Sequence, residues 1–197
     1  LNRMIAMEPK YLLPGHTDAL IGAEVISETL SNYSRAIRYV YEETVKGINE
    51  GKTADELAAA VKLPEELAQL PYLKEYYGRV DWSVRGIYRG LTGWYDGRGT
   101  GLIPLPLHIK AREIVQLAGG ADKILARAIE LQKAGEHQLV CELCDIVISA
   151  NPNDKLAHLI KAYSLDYLGI ASFNLNTFGF YLSAASLERQ AASVKPK

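Results

Sequence analysis

"ADKILARAIELQKAGEHQLVCELCDIVISANPNDKLAHLIKAYSLDYLG", residues Ala121 to Gly169, decides the fold. Apolar residues recur at helical spacing on either side of "KAGEH", and again after "NPND". Gly135 and Asn151-Pro152 are stop signals between these blocks. The pattern predicts helices over about 120–134, 136–150 and 153–168. Outward from this stretch the texture continues. Gly119-Gly120 closes a helix predicted over 106–118, and Gly169 precedes another over 172–190. Almost no strand pattern exists after residue 14, so the chain is expected to be mainly all-α.

The paired helices of three to four turns have the look of a tetratricopeptide-like helical hairpin bundle, with about one and a half units visible. Toward the N-terminus, Val25, Ile26, Leu30, Tyr33, Ile37, Val40, Tyr41, Val45 and Ile48 mark a long amphipathic helix, stopped by Gly51. "TADELAAAVKLP" opens with Thr53 and has Glu56 three residues later, a capping box, and Pro64 closes it. A further helix is expected from about Val80 to Trp94, with Asp81 as its N-cap. Ahead of all these, "LNRMIAMEP" reads as a helix tail and "KYLLPGH" as a short strand running into a turn.

Composition narrows the function. The 197 residues are 48% hydrophobic and 23% charged, with a net charge of −1. A packed core is expected. Nothing basic points to nucleic acid or an anionic membrane surface. No apolar run reaches the roughly 20 residues of a membrane span. Two cysteines make no disulfide framework. The chain begins at Leu1 and reads as the interior of a longer protein, so any targeting signal would lie upstream.

Three constellations carry chemistry. His16 follows a strand in a Pro-Gly turn, where the small glycine lets the backbone approach and the imidazole point outward. Catalytic zinc needs three protein ligands, and no other ligand cluster accompanies it. Spacing alone therefore favours a surface or capping histidine over a metal ligand. Cys141 and Cys144 share a helical face with His137, and His158 could add a fourth ligand. Two small buried residues are the plainer reading. Finally, residues 71–101 hold seven aromatics and four arginines. Arginine's planar fork and tyrosine's hydroxyl suit a tetrahedral oxyanion. Packed aromatics beside solvated or paired arginines are the alternative that composition favours.

"LPYLKEYYGRVDWSVRGIYRGLTGWYDG" resembles the signature of the alkyl sulfatase dimerisation domain of metallo-β-lactamase-type alkyl sulfatases. "PGHTDALIG" and "GKTADELAAAVKLPEEL" resemble the end of their catalytic domain and the linker that follows. "LAGGADKILARAIELQKAGEHQLVCELCDIVISANPND" resembles their next helical hairpins. The resemblance implies three segments: 1–22, a helix–strand remnant of the metallo-β-lactamase α/β sandwich; 23–70, a helical linker; and 71–197, the dimerisation domain. It implies hydrolysis of dodecyl sulfate-like alkyl sulfate esters to alcohol and sulfate by a binuclear zinc site. By the same resemblance His16 is the last metal ligand, and the others, a His-x-His-x-Asp-His run and two glutamates, lie upstream of Leu1. Arg85, Tyr88 and Tyr95 are the expected substrate-pocket residues, chosen for their chemistry.

The resemblance further implies a homodimer that works with the rest of the same enzyme, including a sterol-carrier-like domain. The fragment alone is expected to be inactive. The family is compatible with a periplasmic or secreted location, although the sequence fixes no compartment. Ala19 and Ala54 stand where the family commonly has proline, and Leu91 where it often has an aromatic. Two rival readings remain: a non-enzymatic helical adaptor that binds a peptide, and a structural zinc domain built from His137, Cys141, Cys144 and His158.

Overall fold

The computed structural model describes residues 1–193. Among them are ten α-helices and one two-stranded antiparallel sheet. The chain is mainly all-α, as the helical spacing and the missing strand pattern imply. It divides into two compact units, residues 1–101 and 102–197.

In the first unit, α1 (Asn2–Ile5) leads into β1 (Tyr11–Leu12) and β2 (Leu20–Ile21). Tyr11 lies opposite Ile21 and Leu12 opposite Leu20. The loop between these strands carries His16. Next come α2 (Ala23–Asn49), α3 (Ala54–Ala60), α4 (Glu65–Ala68) and α5 (Val80–Thr92), with short 3-10 turns at Pro71–Leu73 and Gly99–Gly101. The capping box that starts α3 is formed: Glu56 N–H donates to Thr53 Oγ1 at 3.2 Å, and Thr53 N–H donates to Glu56 Oε2 at 2.8 Å. Pro64 does more than end a helix. It is the N-cap of α4, a turn the sequence pattern does not reveal.

The core of this unit joins Val40 of α2 with Leu57, Ala58 and Val61 around α3 and Val84 of α5. Burying each such aliphatic side chain contributes about 1.5–3 kcal/mol. The apolar face of α2 is wider than this core. Ile26, Leu30 and Val40 are buried, whereas Val25, Ile37 and Tyr41 are exposed. Gly47 is where α2 meets α3, since a β-carbon there would overlap the Leu57 side chain.

The second unit comprises α6 (Leu107–Leu117), α7 (Ala121–Lys133), α8 (His137–Ala150), α9 (Lys155–Ile170) and α10 (Leu175–Ser193). All five fall within a few residues of the predicted spans. Gly135, at φ 86°, makes the left-handed turn between α7 and α8. Asp154 caps α9, accepting from Ala157 N–H at 3.0 Å. Consecutive helices pack on one another from α7 to α10. The main core gathers Ile124, Leu125, Ala128 and Leu131 of α7, Val140, Cys144 and Val147 of α8, and Ala157 and Ile160 of α9.

Candidate functional site

A groove of about 790 Å³ opens in the first unit. It runs from the His16 turn along α2 to the segment that enters α5. Tyr33, Ile37 and Val40 form one side, and Tyr72, Tyr77 and Arg79 belong to the other. The site follows from chain order. The loop between the two short strands carries residues 14–17, which line the groove together with Tyr33, Ala36, Ile37 and Val40 from the middle of α2. The 3-10 turn at Pro71–Leu73 then brings the tyrosine-rich segment back across that helix. Tyr33 O–H donates to the Tyr72 carbonyl, and their rings lie 5.8 Å apart. His16 is exposed, with its ring tilted against Tyr77 at 5.2 Å.

One cation of the groove wall is held in place. Arg79 Nε and Nη2 donate to Asp81 Oδ1 and Oδ2 at 2.9 and 3.0 Å. That hydrogen bonding holds the Asp81 carboxyl below its ordinary value against the opposing effect of burial. Asp81 thus lies in the first turn of α5 rather than capping it. Arg79 occupies the N-cap position, and Glu75 Oε1 accepts from Val80 N–H at 2.6 Å.

Arg85, Tyr88 and Tyr95, expected to line a substrate pocket, lie outside this groove. Arg85 is exposed and pairs with Asp55, whose carboxyl this hydrogen bond holds below its usual value. Tyr88 packs against the core of the first unit. Tyr95 is exposed and meets Trp94 edge-on at 5.9 Å. None of the three lines the groove. His16 is brought to the aromatic stretch through Tyr77. Tyr72, Tyr77 and Arg79 of the groove belong to the aromatic–arginine stretch that the sequence singles out, with its density of tyrosine in "PYLKEYYGR", whereas Tyr33 is marked there only as part of an amphipathic helix. Spacing within one helix could not show that they meet, because the groove is assembled from three separate segments.

Among the described residues, no group of three or more His, Cys, Asp or Glu side chains could hold a metal ion. The single exposed imidazole of His16 fits one ligand position of a larger site and cannot form one alone. The same finding removes the zinc set of the second unit. His137 Nδ1 lies 3.3 Å from Ser164 Oγ, and its ring stacks on Tyr167 at 3.9 Å. His158 pairs with Glu188 and with the Pro152 carbonyl. Cys141 and Cys144 are free and buried, and burial pushes their thiols up to about 11 and about 12. Neutral thiols at physiological pH are poor nucleophiles and poor ligands.

Comparison with known proteins agrees with this architecture. A profile of the alkyl sulfatase dimerisation family matches residues 53–191. The chain belongs to that family. It is 41% identical over 186 residues to a linear primary-alkylsulfatase of a Pseudomonas species, covering 94% of this chain and 35% of that one. It is 30% identical over 179 residues to an alkyl/aryl-sulfatase of Saccharomyces cerevisiae, covering 91% and 28%. Among solved structures it matches the stereoselective inverting sec-alkylsulfatase Pisa1 from Pseudomonas, with a TM-score of 0.85 at 26% identity. That match covers 95% of this chain and 29% of the other. The chain spans about a third or less of the length of these relatives.

Proposed function

We propose that this chain is part of a zinc-dependent alkyl sulfatase that hydrolyses alkyl sulfate esters to an alcohol and inorganic sulfate. In this reading it contributes self-association, one metal-ligand imidazole and part of the wall of the substrate pocket. The observation that carries the reading is the groove, which sets His16 beside a run of tyrosines and an arginine. An alkyl sulfate has a tetrahedral anionic head and an apolar tail. The aliphatic and aromatic side of the groove, with Ile37, Val40 and Tyr33, offers a surface for the tail. Arg79 offers a guanidinium whose orientation Asp81 fixes. Arg85, Tyr88 and Tyr95 receive structural roles in this account.

His16 would hold one zinc ion together with ligands from outside this chain, and a zinc pair would supply Lewis acidity and a bound hydroxide. Tyr77 orients the His16 ring by packing against it. The groove wall excludes water from the alkyl tail. Membrane insertion is no part of the reading, since no described helix is long and apolar enough to cross a bilayer.

The test is His16→Ala in the longer enzyme that contains this chain. Zinc per protomer is measured by atomic absorption and dodecyl sulfate hydrolysis by titration of released acid. Loss of bound zinc and a fall in kcat/KM of at least about 1,000-fold are expected, the scale of losing a group that acts directly on transition-state charge. Retained zinc with retained hydrolysis would refute the assignment.

A further inference from the structure

The face of α2 that lines the groove has a relief. Tyr33, Ala36, Ile37 and Val40 stand at i, i+3, i+4 and i+7, on one side of the helix. Tyr33 and Ile37 are 37% and 60% exposed, whereas Ala36 is 6% exposed. The two larger side chains are rims, and the single methyl of Ala36 is the floor between them. The Tyr33 rim is fixed in place. Its O–H donates to the Tyr72 carbonyl, and the Tyr72 hydroxyl accepts from Asn32 Nδ2 at 2.9 Å.

The groove is also divided by polarity. Val40 belongs to the core of the first unit, and Leu63, Val80 and Ile87 pack against that core. All four line the groove, so its apolar part is backed by close-packed side chains. The imidazole of His16 and the guanidinium of Arg79 come from the other segments, 14–17 and 71–79. Glu75, the carboxylate in the lining, is turned to the Val80 N–H. An anionic head with an apolar tail matches this division, head toward the cations and tail along α2. From Tyr33 to Val40 is about 10 Å at about 1.5 Å per residue. An extended chain advances about 1.2 Å per bond, so about eight carbons span that distance.

We propose that Ala36 sets the length of alkyl tail that the groove accepts. The tail lies over Ala36, between the rims of Tyr33 and Ile37, and ends against Val40, Leu63 and Ile87. The proposal rests on the alkyl sulfatase reading above and adds the residue that makes the site selective among alkyl sulfates.

The test uses the longer enzyme that contains this chain, with kcat/KM measured for butyl, hexyl, octyl and dodecyl sulfate and zinc counted per protomer. For the unaltered enzyme kcat/KM should rise about fourfold per methylene up to about eight carbons and then level off. Ala36→Leu fills the floor, and should lower the octyl-to-butyl ratio of kcat/KM at least about 30-fold with zinc retained. Because Ala36 is buried, overpacking could unfold this variant. Ile37→Ser, at an exposed position, removes a rim without adding volume and should lower the same ratio about fivefold. A folded, zinc-loaded Ala36→Leu enzyme with an unchanged ratio overturns the proposal. An unchanged ratio in Ile37→Ser overturns it as well, and so does an unaltered enzyme whose kcat/KM is indifferent to chain length. These outcomes leave the sulfatase reading standing, since each is read from alkyl sulfate that is still hydrolysed. An unaltered enzyme that hydrolyses none of the four esters overturns both.

Discussion

At the scale of single residues, the same side-chain type plays different parts according to its neighbours. Four arginines lie in the segment 71–101. Arg79 is fixed by Asp81 in the groove wall, while Arg85 is clamped by Asp55 on the outer surface. Trp82 shows the limit of composition. Trp82 is 40% exposed, whereas Val84, two residues on and on the opposite face of α5, is fully buried. Arg79 lies over its ring at 5.8 Å, within cation–π reach. Trp82→Ala should therefore cost less than about 1.5 kcal/mol in urea-unfolding stability, against about 3–5 for a core tryptophan. A loss within the core range would place the ring inside.

At the scale of elements, most boundaries follow from local chemistry. Thr53 and Glu56 start α3, Asp154 starts α9 and Gly135 separates α7 from α8, each through a neighbour only a few residues away. The pairing of helices depends on distant groups. Lys161 of α9 reaches Asp145 of α8 at 2.6 Å and also Glu188 of α10, which accepts from His158 as well. Burial pushes the Glu188 carboxyl up. Hydrogen bonds from Lys161 and His158, with their charges, outweigh this and leave it below its ordinary value. A depressed carboxylate gives stability that is present above the unfolded value of 4.5 and is lost as pH falls through the folded one. Glu188→Gln should lower stability by about 2–3 kcal/mol at pH 7, since Lys161 loses one of its two carboxylate partners. The gap to the unaltered protein should close below pH 4.5. A gap independent of pH between 7 and 3 would remove the ionic account.

At the scale of the molecule, two compact units meet in sequence at Gly101 and Leu102. The stretch from Gly93 to Pro106 contains no α-helix, and its glycines and exposed backbone make it the natural entry for a protease. Limited trypsin digestion should cut first after Arg98 and give two fragments that divide there. First cuts inside α2 or α9 would contradict the two-unit description.

The sequence by itself determined the class of fold, the positions of nearly all helices, and the resemblance that places the chain among alkyl sulfatase dimerisation domains. These rest on periodicity, caps and turn residues, which act over a few positions and are written along the chain. The tertiary structure alone decided which apolar faces find partners. It left Ile37 beside a groove and Tyr163 in solvent, although both have the spacing of core residues. It also joined His16 to Tyr77, and Tyr33 to Tyr72, across tens of residues. Such contacts depend on how helices cross, and the strictly local rules of helix formation carry no information about crossing.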